Sequence, residues 1–246
     1  MNIEDELHLS YKLGNATINF FPFPHFYSED IFGREFYIDI QKNLPDEKYL
    51  FPISEKRPVP KGSYKERFVL SLNDEDLKKL PNADFWKSFK KQMLGGGLKN
   101  FLISRFADIL KKIHPNLNNY QTRSEILIVK DKKNYKLGPH TDSPKKLITI
   151  LFYLPAEGGN ENIGTSLYIP KDFKFTCNGG PHYKRDDFNL VFTMPFKANS
   201  AFGFIKTNNS FHGVEKVAEN STRWLLLYDI YFDEAKQSSF NTNFSF

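Results

Sequence analysis

Pro139-His140-Thr141-Asp142-Ser143-Pro144-Lys145-Lys146-Leu147-Ile148-Thr149-Ile150-Leu151-Phe152-Tyr153-Leu154 is the stretch on which the fold turns. Its second half, residues 146–154, is an apolar run rich in β-branched and aromatic residues and reads as one long strand. Its first half places a histidine and an aspartate two residues apart. If residues 140–142 are extended, positions i and i+2 face the same side, so His140 and Asp142 converge.

Working outward, short β-rich runs recur from Ser124 on, at 125–130, 146–154, 165–169, 173–176, 188–194, 200–206, 211–217 and 222–232. Gly, Pro, Asn and Asp clusters divide them. Such spacing predicts an antiparallel sandwich or barrel rather than βαβ units. Before residue 118 the patterns are mostly helical. Pro22-Phe23-Pro24-His25-Phe26 reads as an extended lead-in, because two prolines disfavour helix there. Ser28 then reads as the cap of a helix carrying Ile31, Phe32, Phe36, Tyr37 and Ile40, which Leu44-Pro45 closes. Residues 67–71 read as a strand. Phe85, Trp86, Phe89 and Met93 share one helical face, and Gly95-Gly96-Gly97 breaks that helix. Phe101, Leu102, Phe106, Ile109, Leu110 and Ile113 form the most regular amphipathic stripe, ending at His114-Pro115. Helices first and strands later predict an α+β chain with a mainly β core. The expected organisation is a single domain over 1–246: helical support over 1–117, a β core over 118–233 and a tail over 234–246.

Composition narrows the function classes. The chain has 246 residues and a formal charge of +5, with apolar residues at 40%. That length buries a sizeable core unaided, and the apolar content is too high for disorder. No apolar run approaches the roughly 20 residues of a spanning helix. Cys177 is the only cysteine, which excludes an internal disulfide framework, a four-cysteine zinc site and an iron–sulfur cluster. The acidic start, Met1-Asn2-Ile3-Glu4-Asp5-Glu6, resembles neither a signal nor a transit peptide, so a reducing cytoplasm is the simplest compartment. The positive charges are scattered, and no basic, aromatic-lined run points to nucleic acid.

Two further residues give His140-Thr141-Asp142 its weight. His212 follows Asp142 by 70 residues, about the distance around most of such a barrel, and would complete a facial set of two imidazoles and a carboxylate. That set leaves metal positions open and suits Fe(II), with zinc as the competing metal. A lone His-x-Asp is otherwise as well explained by a hydrogen-bonded loop histidine. Arg223, 11 residues past His212, opens the apolar strand Trp224-Leu225-Leu226-Leu227-Tyr228. A guanidinium there either needs a buried anion or faces water at the rim, paired with an acid such as Asp229.

Pro139-His140-Thr141-Asp142, then His212, then Arg223, in that order, resemble the Fe(II)- and 2-oxoglutarate-dependent oxygenase superfamily, and in particular its prolyl-hydroxylase-like members. The strand 147–154, the turn from Gly158-Gly159 through Gly164-Thr165-Ser166-Leu167-Tyr168-Ile169-Pro170, and Phe202-Gly203-Phe204 ahead of Phe211-His212-Gly213-Val214 match its connecting pieces. The likeness covers residues 120–232 well and 22–45 loosely. It implies a double-stranded β-helix with His140, Asp142 and His212 as iron ligands. It implies that Arg223 pairs with the distal carboxylate of 2-oxoglutarate and that the Tyr153 hydroxyl supports it. It also implies O₂ as the oxidant, with succinate and CO₂ released as a substrate C–H bond is hydroxylated. One departure stands out. Many relatives carry a tyrosine or asparagine about ten residues before the first ligand, and this chain has Lys130-Asp131 there; Tyr135 is the nearest substitute, or else a substrate-facing or rim residue. The substrate, a small molecule or a peptide, is not named by the motifs. A cupin-type metal-binding barrel, acting as a binding module or isomerase, keeps the histidines but does not need Arg223. The glycine- and charge-rich stretch 171–187 reads either as a substrate loop, with Lys184 and Arg185 meeting an anion, or as a solvated hairpin.

Overall fold

The computed structural model describes residues 2–59, 64–117, 121–155 and 160–232; Gly158, Gly159 and the tail from 234, read above from sequence, lie outside them. Among the described residues the helices are α1 (Ile3–Asn15), α2 (Arg34–Lys42), α3 (Ile53–Lys56), α4 (Asp74–Leu77), α5 (Ala83–Leu94), α6 (Gly97–Arg105) and α7 (Ala107–Ile113). The strands are β1 (Ile18–Asn19), β2 (His25–Glu29), β3 (Phe51–Pro52), β4 (Arg67–Ser71), β5 (Thr122–Asp131), β6 (Leu137–His140), β7 (Lys146–Tyr153), β8 (Ser166–Pro170), β9 (Phe188–Thr193), β10 (Ser200–Ile205), β11 (His212–Val214) and β12 (Arg223–Phe232). None of the helices is long and apolar enough to cross a membrane.

The strands form two antiparallel sheets. The larger runs β1-β2-β10-β7-β12-β5-β4-β3 and the smaller runs β6-β11-β8-β9. The two face each other across a shared apolar interior, the arrangement of a double-stranded β-helix. Every residue of β7 is buried, which explains why it is apolar except at Lys146 and Thr149. Its alternate residues serve two cores. Leu151 and Tyr153 point into the barrel with Val129, Leu225, Leu227 and Leu167. Ile148, Ile150 and Phe152 point outward, where Phe32, Trp86 and Phe89 of the helical layer cover them. Phe36 stacks on Phe89 at 6.0 Å, and the Trp86 indole N–H donates to the Asn43 carbonyl at 2.8 Å, so the aromatic stripes read from sequence are core.

The chain differs from the sequence expectation in three places. Ser28 caps no helix. It lies within β2, opposite Ala201 of β10, and the chain turns at Asp30 before α2 starts after Gly33, which caps it through no side chain. That pairing depends on Gly203, where an added Cβ would collide with the Phe26 ring. Residues 173–176 form turns rather than a strand. Conversely, Leu137-Gly138-Pro139-His140 is a strand despite residues usually depleted in strands, because it pairs with β11 along one edge of the smaller sheet. Within the expected helical support, the acidic N-terminus is helix α1, started by a capping box in which Asn2 and Asp5 exchange side-chain and backbone hydrogen bonds. All the described α-helices precede residue 118, but so do β1–β4, which occupy both ends of the larger sheet, and short 3-10 turns follow at Glu161–Ile163 and Arg185–Asp187.

Candidate metal centre and its charged cavity

β6 and β11 are neighbours, and their register sets His140 directly opposite His212. Asp142 follows two residues beyond the end of β6. The donor atoms of these three residues lie within 4.8 Å of one another. The Asp142 Oδ1 is 4.0 Å from His140 Nε2 and 3.9 Å from His212 Nε2. Each imidazole is turned by its own backbone: His140 Nδ1 lies 3.0 Å from the Gly138 carbonyl and His212 Nδ1 2.9 Å from the Ser210 carbonyl. A carbonyl only accepts, so each Nδ1 carries the proton and each Nε2 presents a lone pair inward. Burial holds both imidazoles below their ordinary pKa, and at His140 the neighbouring His212 adds to it. Burial pushes the Asp142 carboxyl up, but the Lys146 ammonium, with the Thr149 hydroxyl bond, outweighs it and holds the group well below the usual carboxylate range. Two neutral imidazoles and one carboxylate converging from one side are the donor set that a divalent transition metal takes. The residues present therefore fit such an ion.

The second oxygen of Asp142 is also held. Oδ2 accepts from the Thr149 hydroxyl at 2.9 Å and from the Lys146 ammonium at 3.3 Å. Lys146 in turn pairs with Asp229 Oδ1 at 2.9 Å, and the Tyr231 hydroxyl lies 2.9 Å from Asp229 Oδ2. Sequence reasoning missed Lys146 and Thr149. A charge at the head of an apolar strand was the available signal. Replacing Thr149 by Val keeps its shape but leaves Oδ2 held by Lys146 alone. We expect Thr149→Val to weaken binding of a divalent ion, read by competition with a chromogenic chelator, by roughly 10–100-fold, the usual cost of losing an outer hydrogen-bond partner. An unchanged affinity would show that the hydroxyl plays no part in orienting the carboxylate.

A cavity of about 490 Å³ opens over this cluster. Leu151, Leu227 and Ile53 give it apolar walls, and Arg67 and Thr165 line it as well. Beyond Arg67 and Thr165 lies a second charged group at one rung of three adjacent strands. Arg67 on β4 and Arg223 on β12 are both register partners of Asp131 on β5. Arg67 donates to Asp131 through Nε at 2.6 Å and Nη2 at 2.8 Å, a two-pronged pair. Arg223 donates through Nη1 alone, at 2.6 Å. Both Arg223 and Asp131 are 0% exposed. The Nε and Nη2 groups of Arg223 are buried and make no hydrogen bond of good geometry, with the Tyr153 hydroxyl the polar group that interacts with this guanidinium. The rim alternative is thus corrected: Arg223 faces no water, and its acid is Asp131, not Asp229.

Tyr153 is buried in the same interior. Its hydroxyl donates to Thr165 Oγ1 at 2.8 Å and accepts the Thr165 N–H at 3.1 Å. Burial raises its pKa while Arg223 pulls the other way, so the phenol stays protonated. Tyr135 is also buried, with the Arg67 guanidinium 4.5 Å from its ring centre and its hydroxyl without a partner. It is therefore no rim residue.

The stretch 171–187 is not a free hairpin. Thr141 donates to the Cys177 carbonyl at 2.8 Å, and Tyr183 N–H donates to the Pro139 carbonyl at 2.8 Å, so it is tied to the residues that carry His140. Arg185 pairs with Glu215 at 3.2 Å and donates to the Leu137 and Val214 carbonyls, which leaves it committed rather than waiting for an anion. The His182 ring meets the His140 ring edge-on at 4.7 Å, and its Nε2 is 2.9 Å from the Tyr64 hydroxyl.

No protein-family model and no curated protein matches the chain. Among solved structures it is similar to a prolyl 4-hydroxylase from Phytophthora capsici, with a TM-score of 0.55 and 15% identity over 96% of this chain and 68% of that one. It is also similar to an oxidoreductase of the 2OG-Fe(II) oxygenase family from Burkholderia pseudomallei, with a TM-score of 0.47 and 13% identity over 94% of this chain and 91% of that one. At such identity the likeness is one of fold, and the first of the two carries it: the double-stranded β-helix built above from strand order and register is the fold of that prolyl 4-hydroxylase.

Proposed function

We propose that the protein is an Fe(II)- and 2-oxoglutarate-dependent dioxygenase that hydroxylates a C–H bond of a small-molecule or peptide substrate. The observation that carries this reading is a pair of sites in one barrel: a three-donor cluster at the cavity, and behind it a buried guanidinium with two unpartnered N–H groups. A metalloenzyme using the metal alone, or a cupin-type binding module, has no need of the second site. A buried net positive charge with free donors calls for an anion, and a carboxylate matches two N–H groups of one guanidinium.

In this reading His140, Asp142 and His212 hold the iron, and Arg223 holds the distal carboxylate of 2-oxoglutarate. Tyr135 offers an unpartnered hydroxyl nearby, and Tyr153 would support the carboxylate by turning its proton away from Thr165 Oγ1. Bound together, iron, 2-oxoglutarate and O₂ supply the oxidising chemistry, with succinate and CO₂ as co-products. The protein's own contribution is position and environment. The two backbone carbonyls aim the imidazoles, and Thr149 and Lys146 fix the carboxylate. Leu151 and Leu227 keep the interior dry. No side chain is needed as a general base. The single cysteine fits a reducing compartment such as the cytoplasm.

Succinate release tests the proposal. Incubation with 2-oxoglutarate should form succinate only when Fe(II) and O₂ are both present, with candidate amino acids and peptides raising the rate. Succinate formed equally without added iron, in protein stripped by a chelator, would contradict it.

A further inference from the structure

The buried rung Arg67–Asp131–Arg223 holds two cations and one anion, and the anion is shared unequally. Asp131 gives both oxygens to Arg67 and one of them, Oδ2, also to Arg223. It stands between the two, since β5 lies between β4 and β12. A carboxylate so placed can lean either way, and a two-pronged pair with Arg223 would consume donors that now stand free. We propose that Arg67 is a positioning residue for the anion site. By claiming the fork geometry of Asp131, it stops that carboxylate from closing onto Arg223 and so keeps Nε and Nη2 of Arg223 open for the ligand. This rests on the reading of Arg223 as the seat of 2-oxoglutarate.

The physical argument is one of charge and donors. With Arg67 present the rung carries one uncompensated positive charge, and Arg223 has two N–H groups unmade. Buried unmade donors are costly, so an arriving carboxylate gains more there than at a satisfied guanidinium. Without Arg67, Asp131 and Arg223 form a neutral, mutually satisfied pair, and the incoming anion must break that pair to bind. Nothing about this requires Arg67 to touch the ligand. Asp131 is then a matched partner of Arg67.

The test is a calorimetric titration of 2-oxoglutarate into the Mn(II)-loaded protein. Arg67→Met should weaken binding by at least about tenfold, the equivalent of one charge-assisted hydrogen bond. Arg67→Met combined with Asp131→Asn should recover most of that loss, because an uncharged Asn no longer neutralises Arg223. Arg67→Lys, which holds Asp131 by a point charge rather than a fork, should fall between wild type and Arg67→Met. Mn(II) affinity should be unchanged in all three, which separates the effect from unfolding. The proposal is overturned if Arg67→Met binds within about twofold of wild type, or if the double variant is no better than the single one, since a merely structural arginine would not be rescued by removing its partner. Absence of binding in the wild type would overturn the assignment of Arg223 itself, and this inference with it.

Discussion

Arg223→Met should reduce 2-oxoglutarate affinity by roughly 100-fold or more, the expected cost of removing one partner from a buried, doubly hydrogen-bonded charge pair. The substitution is informative because the fold should survive it. Arg223 contributes one hydrogen bond to Asp131, and Asp131 keeps both of its bonds to Arg67 when that one is lost. No buried charge is stranded, and methionine fills much of the volume. The metal cluster does not include Arg223, so binding of a divalent ion should stay within about twofold of wild type, a difference too small to implicate a lost ligand interaction. Equal losses of metal and 2-oxoglutarate binding would instead indicate a collapsed barrel. Unchanged 2-oxoglutarate binding would remove Arg223 from the site.

The second large effect falls on the metal. His212→Ala should lower the affinity for a divalent ion by more than the roughly 10–100-fold of losing an outer partner, because a donor itself is gone. The remaining carboxylate is not left unpaired, since Thr149 and Lys146 still hold Asp142 Oδ2. The protein should therefore remain folded and simply fail to load. His182 supplies the internal control. It touches the His140 ring but lies outside the three-donor group, so His182→Ala should load metal nearly as wild type. If both variants lose the ion alike, the assignment of three donors is wrong.

Legibility in the sequence followed the range of the interactions. β7 could be read because burial on both faces demands a mostly apolar run, and that demand is local. His140 and His212 could be singled out because their order and spacing with Asp142 and Arg223 resemble those of a known superfamily. Their facing one another came from the pairing of β6 with β11, a strand that Gly138 and Pro139 disguise. Arg223 drew attention as a charge entering an apolar strand, but its partner did not. Asp131 is 92 residues away and Arg67 is a further 64 residues upstream of it, and cross-strand register leaves no mark in local composition. Asp229 was the nearer candidate and belongs to Lys146 instead. Ser28 misled for a similar reason, since its capping propensity gave way to pairing with β10. Thr149 carried no signal, because threonine is an ordinary strand residue. Second-layer partners of this kind are set by three-dimensional neighbours, and only the folded chain reveals them.

The most direct test of the central claim is an anaerobic titration of the Fe(II)-loaded protein with 2-oxoglutarate, followed in the visible range. Chelation of iron by the cosubstrate should produce a weak charge-transfer band that saturates at one equivalent of sites and is missing in Arg223→Met at concentrations that saturate the wild type. A wild-type protein that binds Fe(II) yet gives no such band would contradict the account.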